Sequence, residues 1–396
     1  MTRENDDTVL EPVLQLLVQH GFDGAAEALE TLLNAAMRLE RSLALKAEPY
    51  ARSGERQGYA NGFKPKTVRT RLGQLDLLIP QVRDGISFYP SALERGERSE
   101  RALKLAIAEM YVKGVSTRTM GQVMEQLCGT DITSAQVSRA AQEMDAELEK
   151  WRSRPLGNIR YLLLDARYEK VRVGGAVRSC AVLIAAGVDG NGKRTVLGVS
   201  ISLSEAEVHW REFLASLQRR GLCGIQLAVS DDHAGLKAAL TAVMPSVPWQ
   251  RCQFHLQQNA QQFASSRAMR AEIGADLRAI FAAQSRTEAE ERLRSVIRKY
   301  RSRSPKFAEW LETNVVESLT VFALPAEHRR RLRTSNLLER INKEIKRRTR
   351  VATLFPNEAS VLRLVSAVLA EISEDWESGD RVYLTPLPIE DGHRSA

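Results

Sequence analysis

Residues 161–172, "YLLLDARYEKVR", decide how the chain is read. Tyr161 to Leu164 form a short apolar run, and the run ends on an acid, Asp165. A run of that length bounded by polar residues reads as a buried strand. Burying a carboxylate costs several kcal/mol unless something positive meets it. The stretch therefore predicts both a strand and a partner for Asp165.

Working outward, the pattern from residue 159 onward alternates between strand and helix. "RSCAVLIAAGV", the turn "DGNGK" and "RTVLGVSISLS" predict a hairpin. "EAEVHWREFLASLQRRG" predicts an amphipathic helix closed by Gly221. "GIQLAVSDD" reads as a strand, "HAGLKAALTAVM" as a helix and "VPWQRCQFH" as a short strand. Three antiparallel strands followed by helix, strand, helix, strand is the order of an α/β ribonuclease H-like core. Residues 256–330 break the alternation and predict an all-helical insertion; Trp310 within it and Trp210 before it are expected to be core or packing residues. The expected catalytic domain is thus 156–255 plus 331–383, with 384–396 a flexible tail.

Asp231 ends a second buried strand, next to the first in such a sheet. The two acids then meet at one sheet edge, where they repel unless a cation separates them. A hard divalent cation that prefers oxygen fits that need. A third acid, Glu339, lies in "HRRRLRTSNLLERINKEIKRRTR". Residues 327–350 hold ten Lys and Arg against three Glu, a net +7 beside +8 for the whole chain. At about 100° per residue, Leu337, Leu338, Ile341 and Ile345 share one side of a helix. Asn336, Glu339, Lys343, Lys346, Arg347 and Arg350 fall opposite, which puts Glu339 within a phosphate-binding face. Asp165, Asp231 and Glu339 are therefore the candidate catalytic and metal-ligating residues, for two Mg²⁺ or Mn²⁺ ions clamping a phosphate. Arg167, Lys170 and Arg172 beside Asp165, and Arg340, Lys343, Lys346 and Arg347 beside Glu339, are candidate DNA contacts.

Upstream, residues 1–50 predict helices that pack or oligomerise. Residues 51–98 predict a small basic hairpin region. Within 52–83, seven Lys and Arg, Arg52, Arg69 and Arg71 among them, stand against two acids, which suits backbone phosphates. Residues 99–155 predict a helix-turn-helix-like unit with apolar Met120, Val123, Met124 and Leu127, then Val137, Ala141, Met144, Leu148 and Trp151. Its outward residues Gln136, Arg139 and Gln142 could reach base edges. Four scattered cysteines without a CxxC pair and an acidic, non-apolar beginning fit a protein of a reducing cytosol. No apolar run is long enough to span a membrane.

"LDARYEKVR", "GVDGNGKRTVLGV", "SDDHAGLKAAL", "QRCQFH", "RTSNLLERINKEIKRRTR" and "FPNEASVLRLV" resemble, in order, the motifs of bacterial Mutator-type insertion-sequence transposases. The resemblance covers about residues 55–383. It implies a ribonuclease H-like domain with a helical insertion, catalytic acids at Asp165, Asp231 and Glu339, and Mg²⁺-dependent cutting and joining of DNA. The family's Cys-x2-His motif falls on Cys252 and His255. Two residues are too few for a closed zinc site, so a structural or near-site role is expected. The leading reading is a DNA transposase that binds terminal inverted repeats as a homodimer. The alternatives are a ribonuclease H-like nuclease that hydrolyses without joining, and a non-enzymatic DNA-binding regulator derived from a transposase.

Overall fold

The computed structural model describes residues 7–48, 51, 54–93, 95, 99–128, 132–351 and 354–386. Arg52 lies outside them. The chain divides into two compact units, Met1–Glu143 and Met144–Ala396.

The first unit begins with helices α1 (Asp7–His20) and α2 (Ala25–Leu45), then strands β1 (Tyr59–Thr70) and β2 (Gly73–Arg83). The strands pair antiparallel from Thr70 opposite Gly73 outward. Leu75, Leu77 and Ile79, at the period of two that a half-buried strand requires, turn inward onto Met37 of α2. The edge amides of Asp76 and Leu78 donate to Glu30 and Asn34 of α2, each at 2.8 Å.

Helices α3 (Arg101–Val112), α4 (Thr117–Cys128) and α5 (Ser134–Gln142) form a separate core around Leu103, Ile107, Met120, Met124 and Val137. Two expectations fail here. Leu127 is 72% exposed and Cys128 takes its buried place, so the apolar stripe of α4 runs one residue later than read. The helix expected to continue to Trp151 breaks after Gln142 and resumes as α6 (Asp145–Ser153). The Asp145 carboxylate takes two nitrogens of Arg363, both at 2.7 Å, within the second unit. That charge-assisted pair outweighs local helical continuity. The unit boundary consequently falls at 143/144 rather than 155, and Met144 and Trp151 are only half-buried.

The second unit holds a five-stranded sheet of β3 (Ile159–Val173), β4 (Ala176–Asp189), β5 (Arg194–Ser202), β6 (Leu227–Ser230) and β7 (Trp249–Arg251). Strand order is β5-β4-β3-β6-β7, and β4 alone runs against the rest. Helices α7 (Glu207–Arg219) and α8 (Ala234–Val243) cover one face, where Leu162, Leu164 and Leu183 meet Trp210, Phe213 and Leu236. Leu163, Ile184 and Val196 of the alternate set are also fully buried, and α15 (Glu358–Ser378) packs along β5 and β3. Coverage of both faces explains why these strands read as unbroken apolar runs.

After β7 come α9 (Gln253–Ala260), α10 (Arg267–Phe281), α11 (Arg286–Arg301), α12 (Pro305–Asn314), α13 (Ala326–Leu332) and α14 (Asn336–Thr349). Ser266 and Ser285 cap α10 and α11 by accepting from the amides of Met269 and Glu288. Trp310 stacks on Phe307 and Trp210 is fully buried, both packing roles as read.

Past α15 the chain is strapped down. The Tyr383 amide donates to the Gly192 carbonyl at 2.8 Å, and Thr385 O lies 2.8 Å from His328 Nε2. Gly192 has φ +76, and a Cβ there would stand 1.9 Å from the Leu384 carbonyl oxygen, so the close approach requires glycine. Leu384 is buried; the expected tail is docked through Thr385, and 387–396 lie outside the described residues. Among the described residues no helix is long and apolar enough to cross a membrane.

Candidate active site

Strands β3 and β6 run parallel with Leu163 opposite Val229. Two residues further along each lie Asp165 and Asp231. Asp165 is only 7% exposed. Its Oδ1 accepts from the Ala166 amide at 2.9 Å and its Oδ2 from Asn342 Nδ2 at 2.8 Å. Burial pushes the Asp165 carboxyl up to about 7, nearby Asp231 adds to the push, and His255 opposes it.

The neighbouring acid Asp232 is otherwise engaged. It pairs at 2.8 Å with Arg251, whose side chain is 3% exposed and also donates to Asn314 at 2.6 Å. Removing Asp232 would strand a buried guanidinium, so it ties the segment after β6 to Arg251 of β7, which in turn reaches Asn314 of α12.

Helix α14 brings the third acid. Ser335, just before it, directs its amide and hydroxyl at Cys252 Sγ, both at 3.3 Å, while the Gln253 amide donates to Arg333 O at 2.9 Å. Leu337, Leu338, Ile341 and Ile345 are buried as the helical period predicts. Glu339 is half-buried, and its Oε1 is buried without a hydrogen-bond partner. It stands one turn before Asn342, whose amide touches Asp165. Glu339 therefore lies on the margin of the basic face turned toward β3, not in its middle.

Cys252 and His255 flank the same edge. Burial opposes ionisation of the Cys252 thiol, but contact with His255 and Ser335 outweighs it and holds the thiol below its ordinary range. The Cys252 contact in turn raises His255 to about 9 against burial, with Asp165 and Asp231 contributing. Cys252 thus ties the start of α9 to the start of α14 through Ser335, and His255 faces the acids, which favour its charged form.

Two contributors were not anticipated. Asn342 was legible in principle, since it follows Glu339 at a spacing of three. Glu205, in the loop before α7, carried no pattern. Burial holds its carboxyl above the ordinary range, with His233 and Tyr168 opposing and Asp231 adding.

The basic residues divide by what already holds them. The Arg167 guanidinium is spent on Glu169 at 2.6 Å and the Asn342 carbonyl at 2.5 Å. Arg347 pairs with Glu344 at 2.7 Å, and Arg71 with Glu100 at 3.1 Å. Arg340, Lys343 and Lys346 are exposed. In the first unit, Arg69 and Arg139 line a groove of about 1230 Å³ with Lys64, Lys66 and Gln136. The Gln136 carboxamide oxygen accepts from the Thr133 amide at 2.8 Å, so only its NH₂ remains to meet a base edge.

Among the described residues no three His, Cys, Asp or Glu side chains stand close enough to share one metal ion. The expected triad is not a closed cage: Asp165 lies near Asp231, and Glu339 stands one turn before Asn342, which touches Asp165. The edge nevertheless fits a hard cation. Asp165 is driven toward its neutral form and Glu339 keeps an orphaned buried oxygen; a divalent ion would relieve both.

The model of the family described as "Transposase, Mutator family" matches residues 2–379. The chain belongs to the Mutator family of transposases. It is 57% identical over 381 residues to the transposase for insertion sequence element IS406 of Burkholderia multivorans, covering 96% of this chain and 98% of that one. It is 40% identical to the transposase for ISRM5 of Rhizobium meliloti, over 96% and 95% of the two chains. Identity to the transposase for IS256 in transposon Tn4001 of Staphylococcus aureus is 32%, over 95% and 97%. In this Mutator-family chain, Asp165, Asp231 and Glu339 all fall within the matched span.

Proposed function

We propose that the protein is the DNA transposase of an insertion sequence, a DDE enzyme on a ribonuclease H-like fold that binds terminal inverted repeats and cuts and joins strands. Family membership and full-length likeness to insertion-sequence transposases support the first part. The sheet order, third-second-first-fourth-fifth with the second strand reversed, supports the fold.

The observation that carries the catalytic reading is Asp165, buried midway along the central strand β3 where its apolar run stops and drawn to about 7, beside Asp231, which directly follows the adjacent parallel strand β6. Asp165, Asp231 and Glu339 would hold Mg²⁺ or Mn²⁺, two ions in all. When bound, such ions offset charge on the scissile phosphate and activate a water or a 3′-hydroxyl. Asn342 fixes the rotamer of Asp165 and keeps one carboxylate oxygen engaged. Cys252 and Ser335 fix the start of α14, and hence Glu339. Lys343, Lys346 and Arg340 are placed to hold strand backbone, while the groove with Arg69 and Arg139 serves the repeat. Arg167 acts as a strut rather than a phosphate contact. Bringing two ends together calls for a homodimer.

The test is purified protein with paired duplexes bearing the inverted repeats found beside the gene. Mg²⁺-dependent nicking at the repeat boundary and joined products are expected. Hydrolysis without joining and without preference for the repeat would favour the nuclease alternative instead.

A further inference from the structure

Around Tyr383 the second unit gathers arginines that no acid offsets. Arg331 lies over the Tyr383 ring at 5.1 Å and Arg194 over it at 5.6 Å, and Arg194 also covers Trp376 at 4.4 Å. Arg330, Arg331 and Arg340 line a cavity of about 310 Å³ with Tyr383 and Asn336. Among the described residues none of these four arginines has a carboxylate partner. Burial holds the Arg194 guanidinium below its ordinary range; Tyr383 favours its charge, while Arg340, Arg331 and Arg381 each oppose it. Like charges brought this close repel, and the cation–π contacts with Tyr383 and Trp376 work against that repulsion.

One wall of the cavity is nonetheless held in place. Tyr383 is pinned by its amide to Gly192, and the strap that carries it is pinned by Thr385 to His328. Exposed guanidinium forks around a small cavity with such a wall are suited to a phosphate, which takes paired N–H donors from arginine. On α14, Arg340 is about 100° around the axis from Glu339, so the cavity lies beside the catalytic edge and is not part of it. Lys343 continues the exposed basic stripe beyond it.

We propose that the cavity enclosed by Arg330, Arg331, Arg340 and Tyr383 binds a backbone phosphate of the DNA that passes the catalytic edge. The proposal rests on the reading of the chain as a DNA-cutting transposase.

The test measures binding of the full chain to a fluorescein-labelled duplex bearing the inverted repeat, by anisotropy, over about 50–200 mM KCl. The protein carries Asp165→Asn so that DNA stays intact. Adding Arg330→Gln and Arg331→Gln is expected to reduce the slope of log K against log salt by about 1, because one phosphate is then no longer neutralised. Arg330→Lys with Arg331→Lys, which keeps the charge, is expected to restore the slope. Arg294→Gln with Arg298→Gln, exposed residues of α11, removes as much charge elsewhere and is expected to leave it unchanged. An unchanged slope in the Arg330/Arg331 variant, or an equal fall in the α11 variant, would overturn the proposal. So would inorganic phosphate at millimolar level failing to compete more weakly against the glutamine variant than against its parent. The parent chain with Asp165 intact is assayed for Mg²⁺-dependent nicking of the same duplex. No nicking sinks the transposase reading, whereas nicking with an unchanged slope sinks the cavity alone.

Discussion

Asp165→Asn is expected to abolish strand cutting and joining while leaving binding of the repeat intact. The change keeps the size and one acceptor for the Ala166 amide, lets Asn342 turn its unpartnered Oδ1 to accept from the new NH₂, and removes the charge that a divalent ion needs. A loss of at least about 10²–10³ in rate is expected, the scale seen when one preorganised electrostatic group is removed. The same variant carries a second signature. The folded protein holds the Asp165 carboxyl at about 7 against an ordinary 3.8, so its favourable contribution is full below about pH 4 and lost as pH rises through 7. Without metal, the ionised acid then costs up to about 4 kcal/mol above pH 7, at about 1.4 kcal/mol per pK unit. Asparagine cannot ionise. Thermal unfolding in EDTA should show the variant gaining on the parent between pH 5 and pH 8. Parallel curves across that range, or full cutting by the variant, would contradict the assignment.

Trp210→Ala is expected to weaken the second unit by about 3–5 kcal/mol, the cost of emptying a large aromatic site in a packed core. Trp210 is fully buried against the sheet with Phe213 at 6.1 Å between ring centroids. Its Nε1 is buried without a partner, so removing that donor gives back part of the loss and favours the lower end. Hydrogen exchange read on β3 and β4 amides measures the effect in the second unit itself, avoiding the assumption of one transition for a chain of two units. Unchanged protection there would show that the core does not close through Trp210.

The strand–helix alternation from 159 to 251 was legible because both faces of the sheet are buried, so that β4, β6 and the first half of β3 carry unbroken apolar runs. The placement of Asp165 and Asp231 was legible for the same reason: each acid follows an apolar run, and the two runs lie side by side in the sheet. The break at Glu143–Met144 was not legible, because it depends on Arg363, some 220 residues away in the chain. Leu127 misled because α4 is short, and one residue of slippage moves an apolar side chain to solvent. Charge patterning showed where basic residues cluster but not which are spent, as with Arg167 on Glu169 and Asn342. The engagement of Asp232 by Arg251 is likewise a tertiary fact, and it separates two adjacent acids that local sequence alone does not.

The central claim is that Asp165, Asp231 and Glu339 hold divalent metal together, although they do not form a closed cage in the structure. Titration of Mn²⁺ into the full chain, followed by the loss of its free electron paramagnetic resonance signal, tests this most directly. The parent, the Glu344→Gln control and a control at the exposed Glu212 of α7, Glu212→Gln, should bind Mn²⁺ alike, whereas Asp165→Asn, Asp231→Asn and Glu339→Gln should each bind it markedly more weakly. Equal binding by all six proteins would contradict the account.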